Sequence, residues 1–137
     1  MHKFKLLNLI FAAMCMVAFT SCKDDDDDVS PNVSLLTNGE WTGNAVYYLG
    51  QDVSAEYEEQ TGMDILQYTS LFNRDGTYSD QYAGAPLVDG TWEYGNDERV
   101  IIFDEGTRNE YTVVISKLEE NELWYLQGGI EYRFTRQ

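Results

Sequence analysis

The sequence predicts an all-β domain of eight antiparallel strands in up-and-down order, closed into a barrel, with one long polar loop after the first strand. Three observations predict it. Apolar and polar residues alternate with a period of two through most of residues 41–135, the spacing of a strand with one face turned to a core. Short runs of Gly, Asn and Asp interrupt the alternation at the intervals expected of tight turns. No stretch of helical period is long enough to form a second layer. Eight strands of this kind enclose an interior just wide enough for their own side chains or for one small ligand.

In the first strand Trp41, Gly43, Ala45, Tyr47 and Leu49 share one face, and Thr42, Asn44, Val46 and Tyr48 the other. Residues 50–63 form the long loop. It is polar and acidic, with Ser54 placed as a helix cap, Glu56, Glu58 and Glu59 in the turns that follow, and Gly62 as a stop. The second and third strands, about residues 65–73 and 77–82, flank Arg74-Asp75-Gly76. Glycine at 76 supplies the positive φ of a tight hairpin, which sets Phe72 opposite Tyr78. Residues 83–89, containing Gly84 and Pro86, read as a connection. The fourth strand then carries Gly90, Trp92 and Tyr94 on one face.

Gly95-Asn96-Asp97 turns the chain into residues 99–104, where Val100, Ile101, Ile102 and Phe103 are apolar on both faces, so that alternation does not say which side is inward. After the turn at residues 105–108, Tyr111, Val113 and Ile115 alternate with Thr112, Val114 and Ser116. Residues 122–127 make the seventh strand. Gly128-Gly129 closes the last hairpin, and Ile130, Tyr132 and Phe134 alternate with Glu131, Arg133 and Thr135 in the eighth.

Ahead of this domain the chain has a different character. His2, Lys3 and Lys5 precede an apolar run over residues 6–19, the layout of a secretory signal. The run is shorter than the roughly 20 apolar residues of a membrane-spanning helix. Thr20 and Ser21 directly before Cys22 resemble the bacterial lipobox, in which the cysteine sulfur is acylated and the chain is cut just before it. The resemblance implies that residues 1–21 are a lipoprotein signal peptide and that Cys22 is the acylated first residue of the mature chain, palmitate being among the acids it would carry. Two or more chains make a stable anchor, since each buried methylene contributes about 0.8 kcal/mol and one chain binds only marginally. Residues 22–38, which contain Asp24 to Asp28, read as an acidic flexible tether. Lys23-Asp24-Asp25 after an acylated cysteine resembles the signal that sends lipoproteins to the cell surface, implying an outer-membrane location with a periplasm-facing domain as the alternative.

The whole chain carries 9 basic and 24 acidic residues, for a formal charge of −15. Nucleic acid is therefore not an expected partner, because phosphate binding needs clustered positive charge. Such acidity favours solubility and a monomer. Cleavage before Cys22 would remove His2 and Cys15, leaving no histidine and no free thiol. Catalysis by Ser-His-Asp or Cys-His groups, and cysteine or histidine metal sites, are excluded on that reading. No cofactor is expected.

At Gly39-Glu40-Trp41 the first strand carries a glycine and a tryptophan two residues apart. Together with Leu71-Phe72-Asn73-Arg74-Asp75-Gly76-Thr77-Tyr78 and Gly90-Thr91-Trp92, this resembles the small lipocalin-like domains of bacterial outer-membrane lipoproteins, over about residues 35–137. The resemblance implies a lipocalin-like barrel over residues 39–137, with Trp41 plugging its closed end and an arginine near the last strand across the indole ring. Arg136 shares the parity of Tyr132 and Phe134 and is the first choice for that arginine; Arg133 is the second. A guanidinium over an indole is worth about 0.5 to 2 kcal/mol.

Tyrosines give a cavity an apolar wall with hydroxyl handles, and Tyr47, Tyr78, Tyr82, Trp92, Tyr94 and Tyr111 are the candidate ligand-binding residues. The same rings would also serve simply to fill the barrel. Asp80 shares inward parity with Tyr78 and Tyr82, and Glu58, Glu59, Asp64 or Glu93 could supply a second carboxylate. No spacing enforces the separations that glycoside hydrolysis requires, so no catalytic residue is assigned. Asp75, Asn96 and Asp97 lack the ordered spacing of a calcium loop and suit turns. The function expected is that of a lipid-anchored, non-catalytic binding lipoprotein of the cell envelope taking a small apolar or aromatic ligand. The alternative is an accessory subunit that contacts an outer-membrane protein while its barrel is filled.

Overall fold

The computed structural model describes residues 29–136. Residues 1–21, expected to be a signal peptide, Cys22 and the aspartate run lie outside the described residues. From Pro31 onward the chain forms one compact unit. Its elements are helix α1 (Pro31–Thr37), strand β1 (Trp41–Tyr48), the two-residue strand β2 (Gln51–Asp52), helix α2 (Ser54–Thr61), a 3-10 turn (Ile65–Gln67), and strands β3 (Tyr68–Phe72), β4 (Thr77–Tyr82), β5 (Ala85–Gly95), β6 (Val100–Phe103), β7 (Tyr111–Leu118), β8 (Glu122–Gln127) and β9 (Ile130–Thr135).

Strands β1 and β3 to β9 pair antiparallel in sequence order, and β9 returns to pair with β1, which closes an eight-stranded barrel. Strand β2 only folds back on the end of β1, Tyr47 opposite Asp52. Phe72 faces Tyr78 across the Asp75-Gly76 hairpin as the turn chemistry requires, with Gly76 at φ +89°. The 83–89 segment is not a connection: Ala83 and Gly84 alone make the turn, β5 begins at Ala85, and the ladder shifts by one residue near Asp80/Gln81, leaving Leu87 as the extra residue between Pro86 and Val88.

Two further corrections concern the ends of the first strand. Residues 31–37, expected to belong to the tether, form α1. Pro31 suits the first helical turn, where its missing N–H is not needed, and Leu36 is fully buried while Val33 packs on the core. The folded unit therefore starts about eight residues earlier than residue 39. In β1, a bulge between Gly43 and Ala45 inserts one residue against β9. Parity reverses beyond it: Val46 is fully buried opposite Tyr132, and Tyr47 turns outward, opposite Glu131.

The same bulge opens a gap in the barrel wall. Strand β1 pairs with β3 only at Trp41↔Ser70 and Thr42↔Thr69. Beyond that point the turn Ile65–Gln67 fills the space, and a Cβ at position 43 would stand 2.0 Å from the Ile65 carbonyl oxygen. Gly43 is thus needed for close approach of two backbones.

Strand direction defines two ends. The first residues of β1 and β3's partner hairpin, the 95–100 turn, the 118–122 turn and the C-terminus form the closed end, covered by α1. There the Trp41 indole N–H donates to Leu36 O at 2.9 Å, and the Arg136 guanidinium lies 4.1 Å from the Trp41 ring centre while donating to the Leu35 and Glu120 carbonyls. Arg133, the second choice, instead lies outside over Tyr47 and Trp124. Gly39 takes φ +108° with Arg136 Cδ beside it. Above this plug Phe72, Tyr78, Trp92, Ile101, Phe103, Val113, Leu123 and Phe134 fill the lower barrel.

Candidate functional site: a tyrosine-lined chamber at the barrel mouth

The filling stops short of the open end. There the inward residues are Tyr68 on β3, Tyr111 on β7, Tyr125 on β8 and Tyr132 on β9, and with Phe134 of the packed lower barrel beneath them they surround a cavity of about 170 Å³. Ile65, Met63, Leu87 and Gln127 complete its rim, and Tyr57 reaches in from α2. Ring meets ring around the wall. Tyr125 stacks on Phe134 at 5.3 Å, contacts Tyr132 at 5.8 Å, and Tyr132 meets the Tyr57 ring edge-on at 5.9 Å. Tyr111 in turn stacks on Phe103 at 4.6 Å.

Helix α2 covers the mouth without being built into the core. None of its residues is buried, and Tyr57 is its main hold on the interior. Its first turn, however, is fastened. The Asp52 carboxylate accepts from both the N–H and the hydroxyl of Ser54, and the Ser54 hydroxyl oxygen accepts from Val46 N–H at 2.9 Å. Ser54 is therefore a latch to β1 and not the cap that its position suggested; the capping position is Val53, which offers no side-chain bond. Gly62 ends the helix in the left-handed conformation, as expected. A second pocket of about 280 Å³ shares Tyr57 with the chamber and is bounded by Val46, Val53, Tyr48 and Ile130.

One carboxylate is buried within the barrel. Asp80 accepts from the Ser70 hydroxyl at 2.6 Å and from the Tyr68 hydroxyl. Burial pushes its carboxyl above the usual range; those two hydrogen bonds offset part of the effect, and the nearby Asp104 and Asp89 add to it. Burial likewise raises Tyr68 and Tyr125, with the Asp80 charge contributing, and pushes Tyr111 up to about 12. Tyr68, Tyr111 and Tyr125 are therefore neutral over the physiological range, and the Asp80 carboxylate acts on all three.

Of the six candidate ligand-binding residues, one lines this chamber. Tyr111 does. Tyr78 and Trp92 point inward but lie in the packed lower barrel, where Tyr78 donates to Asp104 at 3.1 Å and Trp92 to the Asn73 carbonyl at 2.9 Å. Tyr94 is lower still, donating to Asn32 O under α1. Tyr82 stands at the rim, where its hydroxyl oxygen accepts from Asp64 N–H and holds the 3-10 turn. Tyr47 is outside because of the Gly43 bulge, with the Arg133 guanidinium 3.5 Å from its ring centre. Tyr132 was legible as sharing a face with Ile130 and Phe134, whereas Tyr68 and Tyr125 were not sorted by alternation; what singles out all three is their nearness to mouth-side turns, a measure of height along the barrel that parity does not supply.

The proposed carboxylate partners of Asp80 do not join it. Asp64 accepts from Leu66 N–H as the cap of the 3-10 turn, while Glu58, Glu59 and Glu93 are exposed. Asp75 receives the N–H and hydroxyl of Thr77, the geometry of a polar turn. Among the described residues no cluster of three or more acidic, cysteine or histidine side chains could hold a metal ion.

Solved structures with this architecture include a DUF4847 family protein from Bacteroides vulgatus, with a TM-score of 0.57 at 14% identity over 76% of this chain and 96% of that one. A lipocalin-like protein from Bacteroides uniformis has a TM-score of 0.53, also at 14% identity, over 75% of this chain and 99% of that one. No protein-family model and no curated protein matches the chain. The barrel is lipocalin-like in fold.

Proposed function

We propose that this chain is a binding protein that holds a small molecule in the tyrosine-lined chamber, with α2 as a loosely seated cover. The observation that carries this reading is the chamber itself. Five tyrosines and a phenylalanine converge on space that the lower barrel, built from the same strands, fills completely. At about 170 Å³ it is smaller than the roughly 300 Å³ of a drug-sized site, so the ligand is compact. The role in this proposal is non-catalytic, with Asp80 engaged by the Ser70 and Tyr68 hydroxyls.

The cellular setting in this proposal rests on the sequence alone. Cys22 carries the lipid, the acidic segment after it spaces the domain from an outer membrane, and the domain works at the cell surface as a monomer. Native mass spectrometry of the protein from its own cells tests the binding role: a recurrent bound small mass is expected, and only unliganded protein in every preparation would count against it. Labelling with a lipid precursor tests the anchor, which fails if Cys22→Ala protein keeps the label.

A second reading draws on the rim. Leu49, Leu66, Leu87 and Val88 are between 40% and 83% exposed and all stand at the open end. An apolar collar of that kind suits contact with an envelope protein. Cross-linking from position 49 or 87 in intact cells would reveal such a partner.

A further inference from the structure

We propose that the chamber ligand is a small organic ammonium, held against the tyrosine rings within the field of Asp80. This rests on the reading of the chamber as a ligand site and names the class of molecule that it takes.

Three observations lead there. The wall is aromatic on several sides, with Tyr57, Tyr68, Tyr111, Tyr125 and Tyr132 converging from four strands and a helix. Ring faces carry partial negative charge, and a cage of them attracts a cation whose methyl or methylene groups also gain from apolar contact. Second, no lysine or arginine lines the cavity. The inward arginine, Arg136, is at the far end under α1, with its guanidinium taken by the Trp41 ring and two carbonyls.

Third, the interior holds negative charge without a cation to balance it. Asp80 is 5% exposed and receives only hydroxyl donors, Ser70 and Tyr68. Asp104 receives the Tyr78 hydroxyl and the Thr91 N–H. Neither has a lysine or arginine within ion-pair distance among the described residues. Burial of a carboxylate is costly unless something positive answers it, and the space left vacant is the chamber next to Tyr68. Because Tyr68 gives its proton to Asp80, its oxygen is left as an acceptor and relays that charge toward the cavity wall. A neutral ligand would leave the field unused. An anion would be repelled by it.

The test compares three compact probes with the same branched head on the full chain by NMR titration, following the tyrosine ring signals. Choline is the cation, 3,3-dimethylbutan-1-ol its uncharged carbon counterpart, and pivalate a compact anion. Choline is expected to bind about tenfold tighter than the alcohol, and pivalate to shift nothing. Tyr125→Leu should weaken choline more than the alcohol, and Asp80→Asn should narrow the preference for choline over the alcohol about threefold, both in variants whose backbone spectrum stays native. Equal or tighter binding of the alcohol or of pivalate overturns the ammonium assignment and leaves the chamber reading standing. A preference that is unaltered in Asp80→Asn also overturns it. Silence from all three probes removes both the assignment and the reading beneath it.

Discussion

Asp80 shows how one buried group can set a pH response for the whole barrel. Its folded-state pKa is raised, chiefly by burial, above the unfolded value near 3.8. The folded state then holds its proton more tightly than the unfolded state, so the contribution to stability is complete below pH 3.8 and is lost as pH rises through the folded pKa. Asp80→Asn removes the ionisation and keeps an acceptor for one hydroxyl, while the other can turn to accept from the amide. Urea midpoints should show the variant more stable than wild type at pH 7, with the difference closing toward pH 4. A less stable variant at pH 7 would mean that the Ser70 and Tyr68 hydrogen bonds outweigh the burial. Gly43 makes a steric argument of the same local kind. A methyl group there meets the Ile65 carbonyl oxygen at 2.0 Å, and neither backbone can withdraw without breaking the β1 bulge or the 3-10 turn. Gly43→Ala is expected to cost about 3 kcal/mol, at the upper end for overpacking, read from the urea midpoint at constant slope.

The two short helices have opposite fates because they bury different amounts. Helix α1 sinks Leu36 completely, and its carbonyls at Asn32, Leu35 and Leu36 accept from Tyr94, Arg136 and Trp41. Three side chains from β1, β5 and the C-terminus thus hold a helix of seven residues, which would be unstable alone. Leu36→Ala should cost about 3 kcal/mol, the middle of the range for a fully buried leucine, whereas a tether at the same position would tolerate it with no change in the denaturation midpoint. Helix α2 has no fully buried residue and is held by the Asp52, Ser54 and Val46 bonds at its start and by the Tyr57 ring against Tyr132. Its amides at residues 58–62 should therefore exchange with solvent through local opening, while those of α1 exchange only when the domain unfolds. Equal protection of the two helices would make α2 part of the wall and not a cover.

At the scale of the molecule, alternation in β4, β9 and the first part of β7, together with the turn residues between strands, was enough to predict the barrel, although Val100 to Phe103 in β6 are apolar on both faces and carry no parity. It was not enough to locate the chamber. The residues 41–48 are apolar at Val46 and Tyr48 as well as at Ala45 and Tyr47, so a one-residue bulge at Gly43 leaves no trace in the pattern and Tyr47 reads as inward. Tyr78, Trp92 and Tyr94 truly face inward, but parity says nothing about whether a ring is at the floor or the mouth. Helix α1 was hidden by Ser30, Pro31, Asn32 and Ser34, turn-forming residues whose meaning changes when Pro31 occupies a first helical turn. Charge, by contrast, was legible from the outset, and its consequence is physical. The chain carries −15, and the ion pairs among the described residues are confined to Lys117 with Glu119 and Glu122, and Arg133 with Glu131. Such partly exposed pairs contribute about 0 to 1 kcal/mol each and weaken in salt, while repulsion among the many unpaired carboxylates also weakens as the screening length falls from about 30 Å at 0.01 M to 3 Å at 1 M. Repulsion involves far more groups, so its relief should win. The melting temperature at pH 7 is expected to rise by about 3 °C between dilute buffer and 0.5 M sodium chloride, on the scale of about 4 to 8 °C per kcal/mol for a domain of this size. A melting temperature that falls with salt would assign the net electrostatic stability to those few pairs and not to the excess of acid.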